Sequence, residues 1–586
     1  MTFRSTSFGL WVPAQRVQPP LPRRLDPSDL GFHITLVWQD VRLDLASSRV
    51  VAEIESVPRD WLLAMLSVIA ALATNNGLVG PIQRDAVNEL LAGDERVAAL
   101  RLFDSRDRHV FIGPEGTVLA WKLALLHGAA MGGAPDPLVL GHVLLGANEF
   151  AGAHPPAGEE PDLAATLLRL AVLRTEDAGD AIAREFLLFH EYEPALPTNV
   201  RYGFRERFQK ISDIEAIDYV AYALAFYAVY GQYVQARQLA TVNWSAVGSQ
   251  VTGRATDPRG LERFLTLVSR PAETARAELD DTRETGLTVH EVIGFRRYPL
   301  VTLATGICPI WIPWITEKAG SGPRFVVKNA ISSDDEMRRF QGALGEVFEK
   351  YAFDLIRRVF HGDGASQVAF LRQGERGCDV VLFRGPVAFF VELTVTEPSQ
   401  EMLWEGDTER LSDFVRTRLV GGATEKLKKL EETVDAYLEG DLEIGGLDPA
   451  GVTRVYPVLL TLTPLPQAYN AGAVVRQALR SVLPSLADGH DRVQPLQLLS
   501  IADLELLEEP LIKGEVALVD VFEKWLDLGP RSSLSDYLLR DGGLPGRLNP
   551  YLRRRWDDIM AMVLPRVHAL LGLEDSVATP STHSAD

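Results

Sequence analysis

The stretch VAFFVELTVT at Val387–Thr396 constrains the fold more than any other part of the chain. It is built from apolar and β-branched residues, broken by a single charge at Glu392, and such a run predicts a buried strand. CDVVLF at Cys378–Phe383 predicts a preceding strand with Asp379 set into it, and Gln367–Leu371 predicts a third. GALGEVFEKYAFDLI has the helical period and predicts a helix over Gly342–Phe360. A charged helix is expected from about Asp407 to Tyr437, followed by an apolar strand in YPVLLTLTPL at Tyr456–Leu465. Helix, three-strand meander, helix and strand make an α/β core, a mixed sheet flanked by helices. Asp379 and Glu392 interrupt apolar strands, and no packing argument asks for that. Taking an unpaired charge out of water costs several kcal/mol. A divalent cation held between the two carboxylates would remove the cost, so the pair reads as a site.

These residues resemble the core of the PD-(D/E)XK nuclease superfamily, the restriction-endonuclease-like fold. The resemblance covers about Asp334–Pro466 and rests on G-x-x-F-E-x-Y at Gly345–Tyr351, the acidic residue of G-C-D-V-V, and E-L-T after an apolar strand. It implies that Asp379, Glu392 and Glu349 hold Mg²⁺ (or Mn²⁺), with Glu346 one turn earlier on the same helix. Mg²⁺ takes carboxylate oxygens, keeps waters and neutralises charge during phosphodiester cleavage. The family's lysine in E-x-K is replaced here by Thr394. In ATEKLKKLEETVDAYL, Lys426 and Lys429 share a helix face, and Lys426 is the first choice to restore the cation if that helix packs beside the metal strand. Its apolar face would be Leu427, Leu430 and Val434. The alternative is a catalytically inactive nuclease-fold scaffold. A helical peptide-binding protein is a weaker third reading.

Composition narrows the partners. At 586 residues, about three or four domains of ~150 residues are expected. The net charge of −20 repels phosphate overall, so nucleic-acid binding needs local basic surface. Two such clusters occur. RYGFRERFQK interleaves Arg201, Arg205, Arg207 and Lys210 with three aromatics, and YLRRRW carries Arg553, Arg554 and Arg555. Basic residues with aromatics can track a backbone and stack bases, but the first cluster also suits an amphipathic helix with its rings turned inward. Cys308 and Cys378 lie far apart with no metal-binding neighbourhood, which fits a reducing cytosol. No apolar leader opens the sequence, so secretion is not expected and a cytoplasmic location is. Ala216–Val234 is apolar but holds Asp218 and several tyrosines, which makes it a core helix rather than a membrane span. There is no G-x-x-x-x-G-K-[ST], G-x-S-x-G or HExxH pattern. A motor or recognition function would therefore come from a protein partner. His361, in FHGDG, could approach the acidic cluster, though a lone loop histidine is more often solvated.

The expected organisation is an α+β domain over 1–135, a mainly helical domain over 136–285, and a connecting segment over 286–333 that packs on the core. The nuclease-like core spans 334–466, strand and helices over 467–572 complete it, and 573–586 form a disordered tail. Within the first domain, His33–Ile54 alternates and predicts a small antiparallel sheet, while RLFD and HVFIG predict a hairpin. By analogy, a long chain around a small nuclease core, without a motor, suggests prokaryotic restriction or antiviral defence, with DNA as the substrate.

Overall fold

In a computed structural model, the described residues are 34–35, 47–76, 80–105, 109–152 and 178–572, apart from 254, 256, 282–285, 361–365, 372–376, 422–424, 446–447, 464, 466–470, 528–533 and 541–548. His361 and the terminal tail therefore lie outside the described residues. Among the described residues, ten strands appear in chain order: β1 (Ile34–Thr35), β2 (His109–Val110), β3 (Ser269–Pro271), β4 (Leu300–Leu303), β5 (Gly306–Pro309), β6 (Ser366–Phe370), β7 (Val380–Arg384), β8 (Val387–Thr394), β9 (Arg454–Thr461) and β10 (Gln497–Ser500). They form sheets in the orders β1-β2, β3-β4-β5 and β10-β9-β8-β7-β6. The five-stranded sheet is mixed: β6, β7 and β8 run antiparallel, and β9 and β10 add parallel to β8. Mixed α/β architecture with extensive helical parts is as expected from the sequence.

The β7–β8 turn fixes the register. Gly385, at φ 58°, supplies the positive φ that a two-residue hairpin needs at its first central position. The register then runs from Arg384↔Val387 to Val380↔Val391. One step further, Asp379 and Glu392 stand opposite each other. Side chains alternate between faces along a strand. Val387, Phe389, Val391 and Leu393 face the large core that runs on into the helical regions. Ala388 and Phe390, with Val381 and Phe383 of β7, face a second core built with Leu427, Leu430 and Val434. By this alternation Asp379 and Glu392 share the second face, beneath the helix Lys426–Glu439, which packs on β8.

Several local expectations change. The Gly342–Phe360 helix begins earlier and spans Asp334–Phe360, with Asp334, Asp335 and Glu336 in its first turn, where acidic residues suit the helix dipole. Asp379 precedes β7 instead of lying within it, although the Leu371 N–H donates to its carbonyl at 3.1 Å and extends the ladder. The Asp407–Tyr437 helix is three elements: Thr408–Phe414, a π-helical turn Val415–Val420, and Lys426–Glu439, which starts after Glu425 at φ 43°.

The antiparallel sheet expected over His33–Ile54 is absent among the described residues: β1 pairs in parallel with β2, and Ser47–Glu55 is a helix. Val50 and Ile54, four apart, are buried together, so the helical period overrides the alternation. The RLFD segment likewise belongs to the helix Gly93–Ser105, with Ala99 and Phe103 buried on one side. Ala216–Tyr230 is the expected core helix. Among the described residues, no helix is long and apolar enough to cross a membrane. The 286–333 segment touches the region of the five-stranded sheet, where Trp404 Nε1 donates to the Leu287 carbonyl at 3.2 Å. It also reaches the N-terminal helices, where Ser67 Oγ donates to the Pro309 carbonyl at 2.7 Å.

Candidate acidic and lysine site

Glu392 is fully buried on β8, at 0% exposure. The Lys426 ammonium lies 2.5 Å from its Oε1 and 3.4 Å from Asp379 Oδ2. Lys429 stands farther off, 3.6 Å from Glu392 Oε2 and 3.5 Å from Asp379 Oδ1. Two carboxylates thus converge on two ammonium groups. Asp379 is also fixed by the backbone, since the Leu393 N–H donates to its Oδ2 at 2.8 Å. Neither oxygen of Glu392 receives a well-directed hydrogen bond, so its contact with Lys426 acts as an ion pair.

The electrostatics follow from this enclosure. Burial, and then the Asp379 charge, push the Glu392 carboxyl up to about 7, against the pull of Lys426 and Lys429. Burial pulls the Lys426 ammonium down, but Asp379 and Glu392 outweigh it and hold it above the ordinary lysine range. Above about pH 7 the pair is therefore a carboxylate on Glu392 and an ammonium on Lys426. Glu349 comes from the neighbouring helix Asp334–Phe360. Burial raises its carboxyl, followed by the Asp379 and Glu346 charges, while Lys426 and Lys429 oppose the shift. Glu349 thus feels the site electrostatically.

The metal arrangement implied by resemblance is met only in part. Among the described residues, no three His, Cys, Asp or Glu side chains gather closely enough to hold a metal ion. Glu349 does not complete a three-carboxylate set here. Two carboxylates and water are nevertheless within the habits of Mg²⁺, and Glu392, held by ammonium groups without a well-directed hydrogen bond, is an acceptor that a metal cation could share. Asp379 and Glu392 are the residues that could hold one. Thr394 is buried, and its hydroxyl accepts from the Thr396 N–H at 3.1 Å. It closes the end of β8 and supplies no cation.

The basic clusters lie elsewhere. Tyr202, Phe204 and Phe208 are all buried, which leaves no stacked ring row for bases in RYGFRERFQK. Arg207 pairs with Glu336 and lies over the Tyr202 ring at 4.1 Å. Arg201 donates to the Leu196 carbonyl at 2.7 Å. Arg205 and Lys210 are exposed. In the second cluster Arg553 and Arg554 are exposed, whereas Arg555 pairs with Glu191 at 2.9 Å. Neither cluster supplies a side chain to the Asp379–Glu392 pair.

Sequence reasoning missed the buried set Arg184, Tyr351 and Glu505, whose members lie too far apart in the chain to form a motif. Compared with known protein families, with curated proteins and with solved structures, the chain matches none.

Proposed function

We propose that the protein is a metal-dependent nuclease that hydrolyses nucleic-acid phosphodiesters, with DNA as the substrate. The observation that carries this reading is the convergence of Asp379 and buried Glu392 on the ammonium groups of Lys426 and Lys429. The order of helix, antiparallel meander, helix and parallel strand supports a restriction-endonuclease-like core. Lys426 takes the place of the motif lysine from another element. Its cation offsets phosphate charge as that charge builds in the transition state, a contribution of about 3–4 kcal/mol per donor in comparable sites. Asp379 and Glu392 would hold Mg²⁺, which when bound would supply a water of lowered pKa and further charge neutralisation. Asp379, pinned by the Leu393 amide, keeps its oxygens directed into the site. Bacterial restriction or antiviral defence is the setting this activity suits by analogy.

A second reading keeps the fold and drops the chemistry. Two lysines already compensate the two acids, and no three-ligand cluster forms among the described residues, as a scaffold that has lost its metal would show. Cleavage of plasmid and linear DNA with Mg²⁺, with Mn²⁺ and with EDTA separates the two. The nuclease cuts in either metal, and Asp379→Ala and Glu392→Ala each abolish cutting while circular dichroism and the unfolding midpoint stay native-like. Activity that survives both substitutions places the site elsewhere. A folded wild type that neither cuts nor binds Mg²⁺ is the scaffold.

A further inference from the structure

A cleft of about 250 Å³ opens among the middle helices and the C-terminal helix Pro550–Leu570. It shares no residue with the Asp379–Glu392 site. Phe186, His190, Arg205, Gln209, Met562 and Arg566 line it, with Glu215 on its exposed rim.

Its inner wall is aromatic. The His190 imidazole stacks on Phe186 with centroids 4.0 Å apart and planes 12° from parallel. His190 sits in a π-helical turn, Leu188–Tyr192, an irregularity that often marks functional sites because it re-aims a side chain. Burial first, and then the Arg205 charge, pull its pKa down to about 4, so the ring is neutral at physiological pH and presents a π-face without a positive charge. The cations come from the two arginines. Arg205 is exposed, and no carboxylate lies within ion-pair distance of it among the described residues. Arg566 borders the cleft while paired with Asp218 at 2.5 Å. Arg566 is thus compensated by Asp218, and Arg205 is the cation left to a ligand, with Glu215 exposed on the rim.

We propose that this cleft binds a small molecule consisting of one aromatic ring bearing a carboxylate or phosphate. The ring lies against the His190–Phe186 stack, where offset or edge contacts between π-systems are favourable. The anionic group meets Arg205, whose planar fork matches a carboxylate or phosphate in two-point contact, and Arg566 closes the other side. Gln209 offers a neutral donor and acceptor. The volume limits the ligand: pockets for drug-sized molecules run to about 300–1,000 Å³, so this one takes a single ring and its substituent.

Titration calorimetry of the full chain with benzoate, phenyl phosphate, inorganic phosphate and benzyl alcohol tests the assignment. Benzoate or phenyl phosphate binds saturably, the better of the two identifying the anionic group, while inorganic phosphate and benzyl alcohol bind about tenfold or more weakly. Arg205→Gln, an exposed substitution that leaves packing intact, weakens binding about ten- to a hundredfold, as expected for loss of a charged hydrogen-bond pair. With methyl-labelled methionine, the Met562 signal shifts on binding and locates the ligand. Benzyl alcohol binding as well as benzoate overturns the proposal, as does inorganic phosphate binding as well as phenyl phosphate. Absence of saturation makes the cleft a solvent-filled packing gap. An unchanged affinity in Arg205→Gln, or an unmoved Met562 signal, also defeats it.

Discussion

Glu505, on the helix Ile501–Ile512, and Glu392, on β8, are both removed from water, at 2% and 0% exposure. Arg184 grips Glu505 with Nε at 2.9 Å and Nη2 at 2.7 Å, and the Tyr351 hydroxyl donates to it at 2.6 Å. Arg184 and Tyr351 are themselves buried. Glu392 has two lysines, 22% and 35% exposed at their side chains, and no well-directed hydrogen bond. A planar guanidinium matches a carboxylate edge to edge, whereas an ammonium is a compact point charge on a flexible stem. The first arrangement therefore locks three elements together: the helix Ala178–Leu187 through Arg184, the helix Asp334–Phe360 through Tyr351, and Glu505's own helix. The second leaves a carboxylate short of partners beside groups that water can reach. A buried charge gripped edge to edge by buried partners builds structure, and one held by flexible, part-exposed partners can exchange them for a ligand.

The comparison breaks most easily at Arg184. Arg184→Ala leaves Glu505 buried without its cation, and unfolding in urea is expected to show a loss of about 3–5 kcal/mol. Glu392→Gln, measured without divalent metal at neutral pH, is expected to cost no stability, because Asp379 retains both lysines and the burial of a charged carboxylate is relieved. Equal losses in the two variants would mean that both glutamates are structural.

Kinetics sharpen the contrast next. Under the nuclease reading, Lys426→Ala lowers the cleavage rate by roughly 10²–10³ with metal binding largely retained, the usual cost of one charge-stabilising donor. Lys429→Ala has a smaller effect, since its ammonium stands 3.5–3.6 Å from the carboxylates. A larger effect at Lys429 would reverse the assignment of the two.

The last contrast is in pH. The Glu392 carboxyl is raised to about 7 from an ordinary 4.5, so between those values the folded chain binds more protons than the unfolded one. Stability from this group is present below about 4.5 and falls as pH rises through about 7. Glu392→Gln removes that descent, and the difference between the two stability profiles over this range reports it. Metal binding needs the ionised acid, so Mg²⁺ affinity is expected to climb to about pH 7 and level off above it. An affinity flat across neutrality would show that Glu392 is not a ligand.

Much of the acidic site was legible because it is local. CDVVLFRGPVAFFVEL is a hairpin about Gly385–Pro386, and its turn alone pairs Asp379 with Glu392. Leu427, Leu430 and Val434 showed which side of their helix would seek the sheet, and that burial carries Lys426 and Lys429 to the carboxylates. The helix boundaries were less legible. Gly421 and a π-helical turn divide the charged segment before Lys426, and a repeating apolar pattern does not report such breaks. At Val50–Ile54 two periods fit the same residues, and contact with the rest of the fold chose the helix.

The sequence by itself determined which residues could be charged inside a strand, where the hairpin turns, and which faces of the local helices are apolar. These depend on side-chain type and short-range period, within reach of a few residues. Tertiary structure alone decided the partners. Arg184 meets Glu505 across a separation of 321 residues. His190 and Arg205 share a cleft with Arg566. Glu349 reaches the acidic pair only as a neighbouring charge. Contacts of that kind are set by how whole helices and sheets pack, and no local pattern along the chain encodes the distance between two charges that meet only when the core closes.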